Sequence, residues 1–264
     1  MEGLASMVSW KGTWGYFDCI KNLTTKTKPM TTDEVLKELE GYGNEGTKNT
    51  FLKHGAREPL YGVNVQDLKK IQKKVKTDHD LSLELYATGN SDAMYLAGLI
   101  ADEKAISKAD LNKWADEASW YMISEYTVPW VAAETGYGYE LGLEWIESAE
   151  ERIASAGWST LSSCASLRPD ADLDIDKYAE LLDHVEKNIH TAPNRVRFTM
   201  NGFVIATGSY IPALTTKATR VGGNIGQVNV EMGGTACKVP SAPEYIQKVV
   251  DRGKIGKKRK SARC

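Results

Sequence analysis

The residues in this chain whose types could do chemistry lie in the stretch SWYMISEYTVP, positions 119–129. One carboxylate, Glu125, stands there among residues that otherwise read as core. On a helix Tyr121, Met122 and Glu125 lie near one another, because residues three and four apart share a face; Trp120 and Ser124 flank them. An anion beside aromatic rings can hold a cation or a cationic transition state, by its charge and by the ring quadrupole. A buried, unpaired carboxylate is expensive. The bland alternative is that Glu125 reaches solvent or a basic partner on a neighbouring helix. The residue types leave both readings open.

The elements that must position this stretch are almost all helical. Apolar periodicity and capping signals predict helices over 32–40, with Thr31 or Thr32 as cap, and over 46–54, 64–76, 80–87, 92–100 and 107–117. The last opens with Ser107 and carries Asp110 three residues on, a capping-box variant. Beyond 119–129, helices follow over 139–149, 150–166, 176–189 and 195–210, with a short run after Pro212. A last helix over 243–252 has Pro243 in its first turn. Helices of this length on short links suggest pairs stacked into a solenoid, whose concave face is a natural groove. No exact repeat is visible, so the repeats are degenerate. The glycine-rich segment GGNIGQVNVEMGGTACKVP (222–240) breaks the pattern and reads as a β-hairpin or an ordered loop. Residues 1–29, with Trp10, Trp14, Tyr16 and Phe17, read as an N-terminal extension that packs as a short amphipathic helix, or else as a free arm.

Other chemistry is excluded or weak. No run approaches eighteen apolar residues, so no membrane span is expected, and positions 1–30 lack the apolar core of a signal peptide. Cys19, Cys164, Cys237 and Cys264 form no C-x-x-C pair, and His184 and His190 fall on different helix faces. That pattern fits a reducing cytoplasm with no metal and no cofactor. Gly136, Gly138 and Gly142 lack the preceding strand that a dinucleotide loop needs.

Charge is unevenly placed. The chain's net charge is -2, yet RGKIGKKRKSAR (252–263) holds seven basic residues and no acid. The tail, taken as a separate unit over 253–264, is therefore cationic on an acidic body. Its Lys254, Lys257, Lys258, Arg259 and Lys260 suit phosphate contact, as do Lys69, Lys70, Lys73 and Lys74 on the third helix and Arg195 and Arg197 at the start of a later one. The plain alternatives are a solvated helix face and a tail paired with the acidic body.

Four segments in order and spacing carry a family resemblance: PLYGVNVQDLKKIQK (59–73), DAMYLAGLIAD (92–102), the 119–129 stretch and NGFVIA (201–206). Together they resemble the DNA alkylation repair family, HEAT-like-repeat proteins that include alkylpurine DNA glycosylases. The likeness covers roughly 30–250 and implies an all-α, ARM-repeat-like superhelix over 30–252. It also implies a monomer that binds double-stranded DNA, alkylated or branched. In the glycosylases a carboxylate and two tryptophans border a purine made cationic by N3- or N7-alkylation. The carboxylate stabilises the oxocarbenium-like sugar as the bond breaks. Carried over, the family's aspartate falls on Glu125, one tryptophan on Tyr121 and the later one on Phe203. Trp158 matches a further tryptophan, and the family's active-site arginine falls on Leu161. Loss of that arginine makes DNA binding better supported than base excision. Three readings compete: a glycosylase, a non-catalytic binder of damaged or branched DNA, and a helical protein-binding scaffold.

Overall fold

The computed structural model describes residues 29–233 and 238–263. The extension read over 1–29 lies, apart from Pro29, outside the described residues. Thirteen α-helices, one π-helical turn and two 3-10 turns carry the described residues, and no strand occurs among them. The helices are α1 (Thr32–Tyr42), α2 (Glu45–Lys53), α3 (Val65–Val75), α4 (His79–Ala87), α5 (Ser91–Ile100) and α6 (Lys108–Glu117). After the π turn (Ile123–Thr127) come α7 (Val128–Glu134), α8 (Gly138–Trp145), α9 (Glu151–Leu167), α10 (Ile175–Asn188), α11 (Asn194–Tyr210), α12 (Thr215–Ile225) and α13 (Ala242–Asp251).

Local chemistry sets the helix starts. Thr31 and Glu34 form a reciprocal capping box on α1, and Ser107 and Asp110 form one on α6. Asp78 caps α4 by accepting from the Leu81 amide. Packing is between near neighbours in the chain: α4 on α5, α8 on α9, α9 on α11, and α11 on α12 and α13. Stacking of this kind makes a HEAT-like solenoid.

Two cores result. The first gathers apolar faces from α1 to α8, with Leu85, Leu96, Ile100 and Ile123 fully covered. The second gathers α9 to α13 around Trp158, Tyr178, Phe203 and Val221. Helix α9 serves both, giving Ala156 to the first and Trp158 and Leu161 to the second. Its approach to α8 is close. A Cβ added at Gly157 would lie 2.6 Å from the Ile146 nitrogen and 2.9 Å from the Gly142 oxygen. Gly142 in turn faces Leu161. These glycines serve helix packing.

The structure corrects the hairpin reading of 222–240. Gly222 and Gly223 lie inside α12, where Gly222 makes room for Ala242 and Pro243. The described residues between α12 and α13 form a loop without strands. The Asn194 side chain accepts from the Glu231 amide at 2.7 Å and donates to the Glu231 carbonyl at 3.0 Å. Asn201 donates to the Pro240 carbonyl. These side-chain amides satisfy backbone groups that a paired strand would otherwise serve.

Candidate functional site

Glu125 lies in the π turn, and the sequence explains why the helix opens there. Pro129 has no N–H to give the Glu125 carbonyl four residues back, and its ring crowds that carbonyl. The helix widens by one residue instead: the Val128 amide bonds the Ile123 carbonyl, and the Thr127 hydroxyl donates to the Met122 carbonyl at 3.2 Å. The 119–129 stretch is therefore not one uniform α-helix, and its carboxylate sits at the irregular turn.

The Glu125 side chain is 1% exposed and faces Arg195, 17% exposed, from the first turn of α11. The guanidinium forks onto it, Nε to Oε1 at 2.6 Å and Nη2 to Oε2 at 2.5 Å. Arg195 is also sandwiched between the rings of Tyr121 and Phe198, each centroid 4.5 Å from its Cζ. Its backbone amide, one of the uncapped donors at the start of α11, is met by Glu151 at 2.6 Å. Burial pushes the Glu125 carboxyl up to about 7, against the pull of the Arg195 hydrogen bonds and charge. The guanidinium stays protonated, its own value raised by that carboxylate despite burial.

The pair forms a wall between two openings. On one side, a cavity of about 240 Å³ is lined by Glu125, Tyr126, Trp130, Phe198, Tyr210, four serines of α9 and Arg259. Those serines, Ser159, Ser162, Ser163 and Ser166, share one helix face. On the other side, a cavity of about 640 Å³ is lined by Arg195, Arg57, Trp120, Tyr121, Arg152 and acids that include Glu150. Aromatic rings run along both. Phe51 meets Trp120, Trp120 meets Tyr121, Tyr121 meets Tyr126 and Tyr126 meets Trp130, with centroids 5.1 to 6.5 Å apart.

Tyr121, Glu125 and Arg195 thus come together, and Arg259 lines the same cavity as Glu125. Trp158 and Phe203 do not join them. They meet each other at 5.1 Å, wholly inside the second core, where Phe203 stacks on Tyr178. On α11 the cavity face runs through Phe198, Gly202, Ala206 and Tyr210 at four-residue spacing. Position 203, five residues from 198, turns away from that face. Position 161 also points away: Leu161 is fully buried against α8, and its carbonyl accepts from Tyr178. Nothing at 161 could face the cavity.

The basic residues divide. Lys70 pairs with Asp67, and Lys74 with Glu38. They and the stripe's other lysines, Lys69 and Lys73, sit on α3 and line neither cavity. Arg197 is half-buried and donates to Asn194 at 3.4 Å. The tail lies across the body, with Lys254, Lys257, Arg259 and Lys260 exposed and Lys258 turned inward. A second buried carboxylate, Asp92, has a structural task. It accepts the amides of Tyr61, Gly62 and Val63 at 2.6 to 3.0 Å and fixes the loop before α3. No group of three or more metal-ligating side chains occurs among the described residues, and no helix there is long and apolar enough to cross a membrane.

Comparison with known proteins gives a consistent result. The sequence profile of a family described as DNA alkylation repair enzyme matches residues 35–225, which include the π turn, α9 and α11. The uncharacterized protein Lmo0209 of Listeria monocytogenes is 32% identical over 231 residues, covering 85% of this chain and 100% of that protein. Lin0241 of Listeria innocua is 31% identical over 229 residues, covering 84% and 99%. A solved structure is 39% identical, with a TM-score of 0.82, covering 89% of this chain and 100% of that one. It is described as representing a new family of proteins related to the HEAT-like repeat DNA glycosylases, with affinity for branched DNA structures. The chain belongs to the DNA alkylation repair enzyme family and has its HEAT-like-repeat fold.

Proposed function

We propose that this protein binds branched DNA without excising bases, using the groove between the π turn, α9 and α11. The observation that carries this reading is the fork between Arg195 and Glu125. Both carboxylate oxygens are held by one guanidinium at 2.5 to 2.6 Å. A carboxylate so engaged offers little of its field to an oxocarbenium ion, because the nearest positive charge is already in place. Phe203, which the resemblance set beside a lesion, and Trp158, which it matched to a further tryptophan, are core residues. What the groove offers instead is a run of aromatic rings, a row of serine hydroxyls and an exposed cation, Arg259. Rings suit bases that have lost a stacking neighbour, as at a junction, and cations suit the backbone. The structural relative's affinity for branched DNA supports this choice of partner.

Fluorescence anisotropy with a three-way junction and a linear duplex of equal length tests the reading. Tighter binding to the junction, weakening as salt rises, is the expected result. Equal affinity for the two, or none at low salt, would remove it.

A further inference from the structure

Residues 253–263 form a strap across the ends of the inner helices, beyond the part of the chain that the family profile matches. The Gly256 amide donates to the Ser209 carbonyl at 2.9 Å, and the Arg259 amide to the Ser166 carbonyl at 2.8 Å. Lys258 turns inward, donating to the Ala165 and Tyr210 carbonyls at 2.9 and 2.7 Å and pairing with Asp170 at 2.7 Å. Ser261 and the Ala262 amide bond Glu134, and Arg263 donates to the Ala101 carbonyl and pairs with Glu103 and Glu134. Ala101, Glu134, Ala165 and Tyr210 lie at the C-terminal ends of α5, α7, α9 and α11.

That edge would otherwise be strongly negative. Each helix end carries about half a negative charge on its unpaired carbonyls, and Glu103, Glu134 and Asp170 add full ones. Such an edge repels phosphate. The strap's two inward cations, Lys258 and Arg263, satisfy these groups. Its remaining cations stay outside: Lys254, Lys257, Arg259 and Lys260 are exposed. Arg259 lines the serine-walled cavity and also a wider opening of about 810 Å³, which it shares with Arg168 and Lys260 and with the acids Glu103, Glu134 and Asp172, the first two of them paired with Arg263. Among the described residues the Arg259 side chain makes no ion pair or hydrogen bond, while its backbone is fixed to α9.

We infer that the strap converts the negative ends of the inner helices into a phosphodiester-binding rim, with Arg259 as the cation that grips the DNA backbone at the groove. The inference rests on the DNA-binding reading above and assigns the residue that holds the strand. It also supplies from the strap a cation that position 161 cannot present.

The test compares wild type with Arg259→Ala and Arg259→Lys, using a three-way junction and a linear duplex across a salt series. Arg259→Ala should weaken both probes several-fold and lower the slope of log affinity against log salt by about 0.9, one phosphate contact. Arg259→Lys should restore the slope, and the thermal midpoint should stay unchanged in both. Wild-type binding with the same affinity and slope in Arg259→Ala would overturn the inference alone. Absence of wild-type binding at low salt would overturn it together with the DNA-binding reading.

Discussion

Replacing Arg195 by Met would show how far Glu125 depends on its partner. Methionine keeps an unbranched side chain between the rings of Tyr121 and Phe198 and removes the charge and both hydrogen bonds. Glu125, 1% exposed, then has no counterion. In the wild type its folded value is about 7, above the usual 4.5. Its contribution to stability is therefore complete below about 4.5 and is lost as pH rises through about 7. Above that pH the wild-type carboxyl is ionised in both states and the loss stops. In Arg195→Met the folded value moves higher still, since the cause that lowers it is gone, so the loss continues. The expected extra penalty is about 1.4 kcal/mol per pH unit above 7, or roughly 3 kcal/mol by pH 9. Below pH 6 the variant should lack only the hydrogen bonds, about 1 kcal/mol each. Urea unfolding at pH 6, 8 and 9 reads the difference, and Arg195→Met combined with Glu125→Gln should remove its pH dependence. An equal penalty at pH 6 and pH 9 would mean that Glu125 does not depend on Arg195 for its charge.

Other outcomes follow from the packing. Trp158→Ala and Phe203→Ala should each cost about 3–5 kcal/mol of stability by chemical denaturation, as core residues do. Tyr121→Ala, at a half-buried position, should cost less but weaken junction binding measured by anisotropy. Gly157→Ala should lower stability by roughly 1–3 kcal/mol in thermal unfolding, because the added methyl meets the backbone of α8. Lys258→Met leaves the Ala165 and Tyr210 carbonyls and Asp170 without their shared donor; limited proteolysis should then cut within 253–263 faster than in wild type.

Much of the fold could be read in the sequence because its signals are local. The Ser107 and Asp110 capping box needs only residues three apart, and the face of α3 through Leu68 and Ile71 shows in the periodicity. Glu125 stood out because a lone carboxylate among aromatics is costly. Its partner Arg195 lies 70 positions away, so spacing could not join them. A signal did exist in Pro129, which marks the opened turn four residues earlier. Trp158 and Phe203 were assigned by resemblance, and a register of a few residues on a helix changes the face from groove to core. The tail's composition showed its charge but not which cations turn inward, because that depends on where four helices end. In 222–240, Gly222, which lets α12 pack closely on the start of α13, reads in sequence like a turn glycine.

The proposed function requires that Glu125, held by the Arg195 fork, take no part in glycosidic cleavage. Base release from DNA treated with a methylating agent, measured for wild type and Glu125→Gln alongside junction binding, tests it most directly. Neither protein should release base above background, while the wild type binds the junction. Release of alkylated purine by the wild type that disappears in Glu125→Gln would contradict the proposed function.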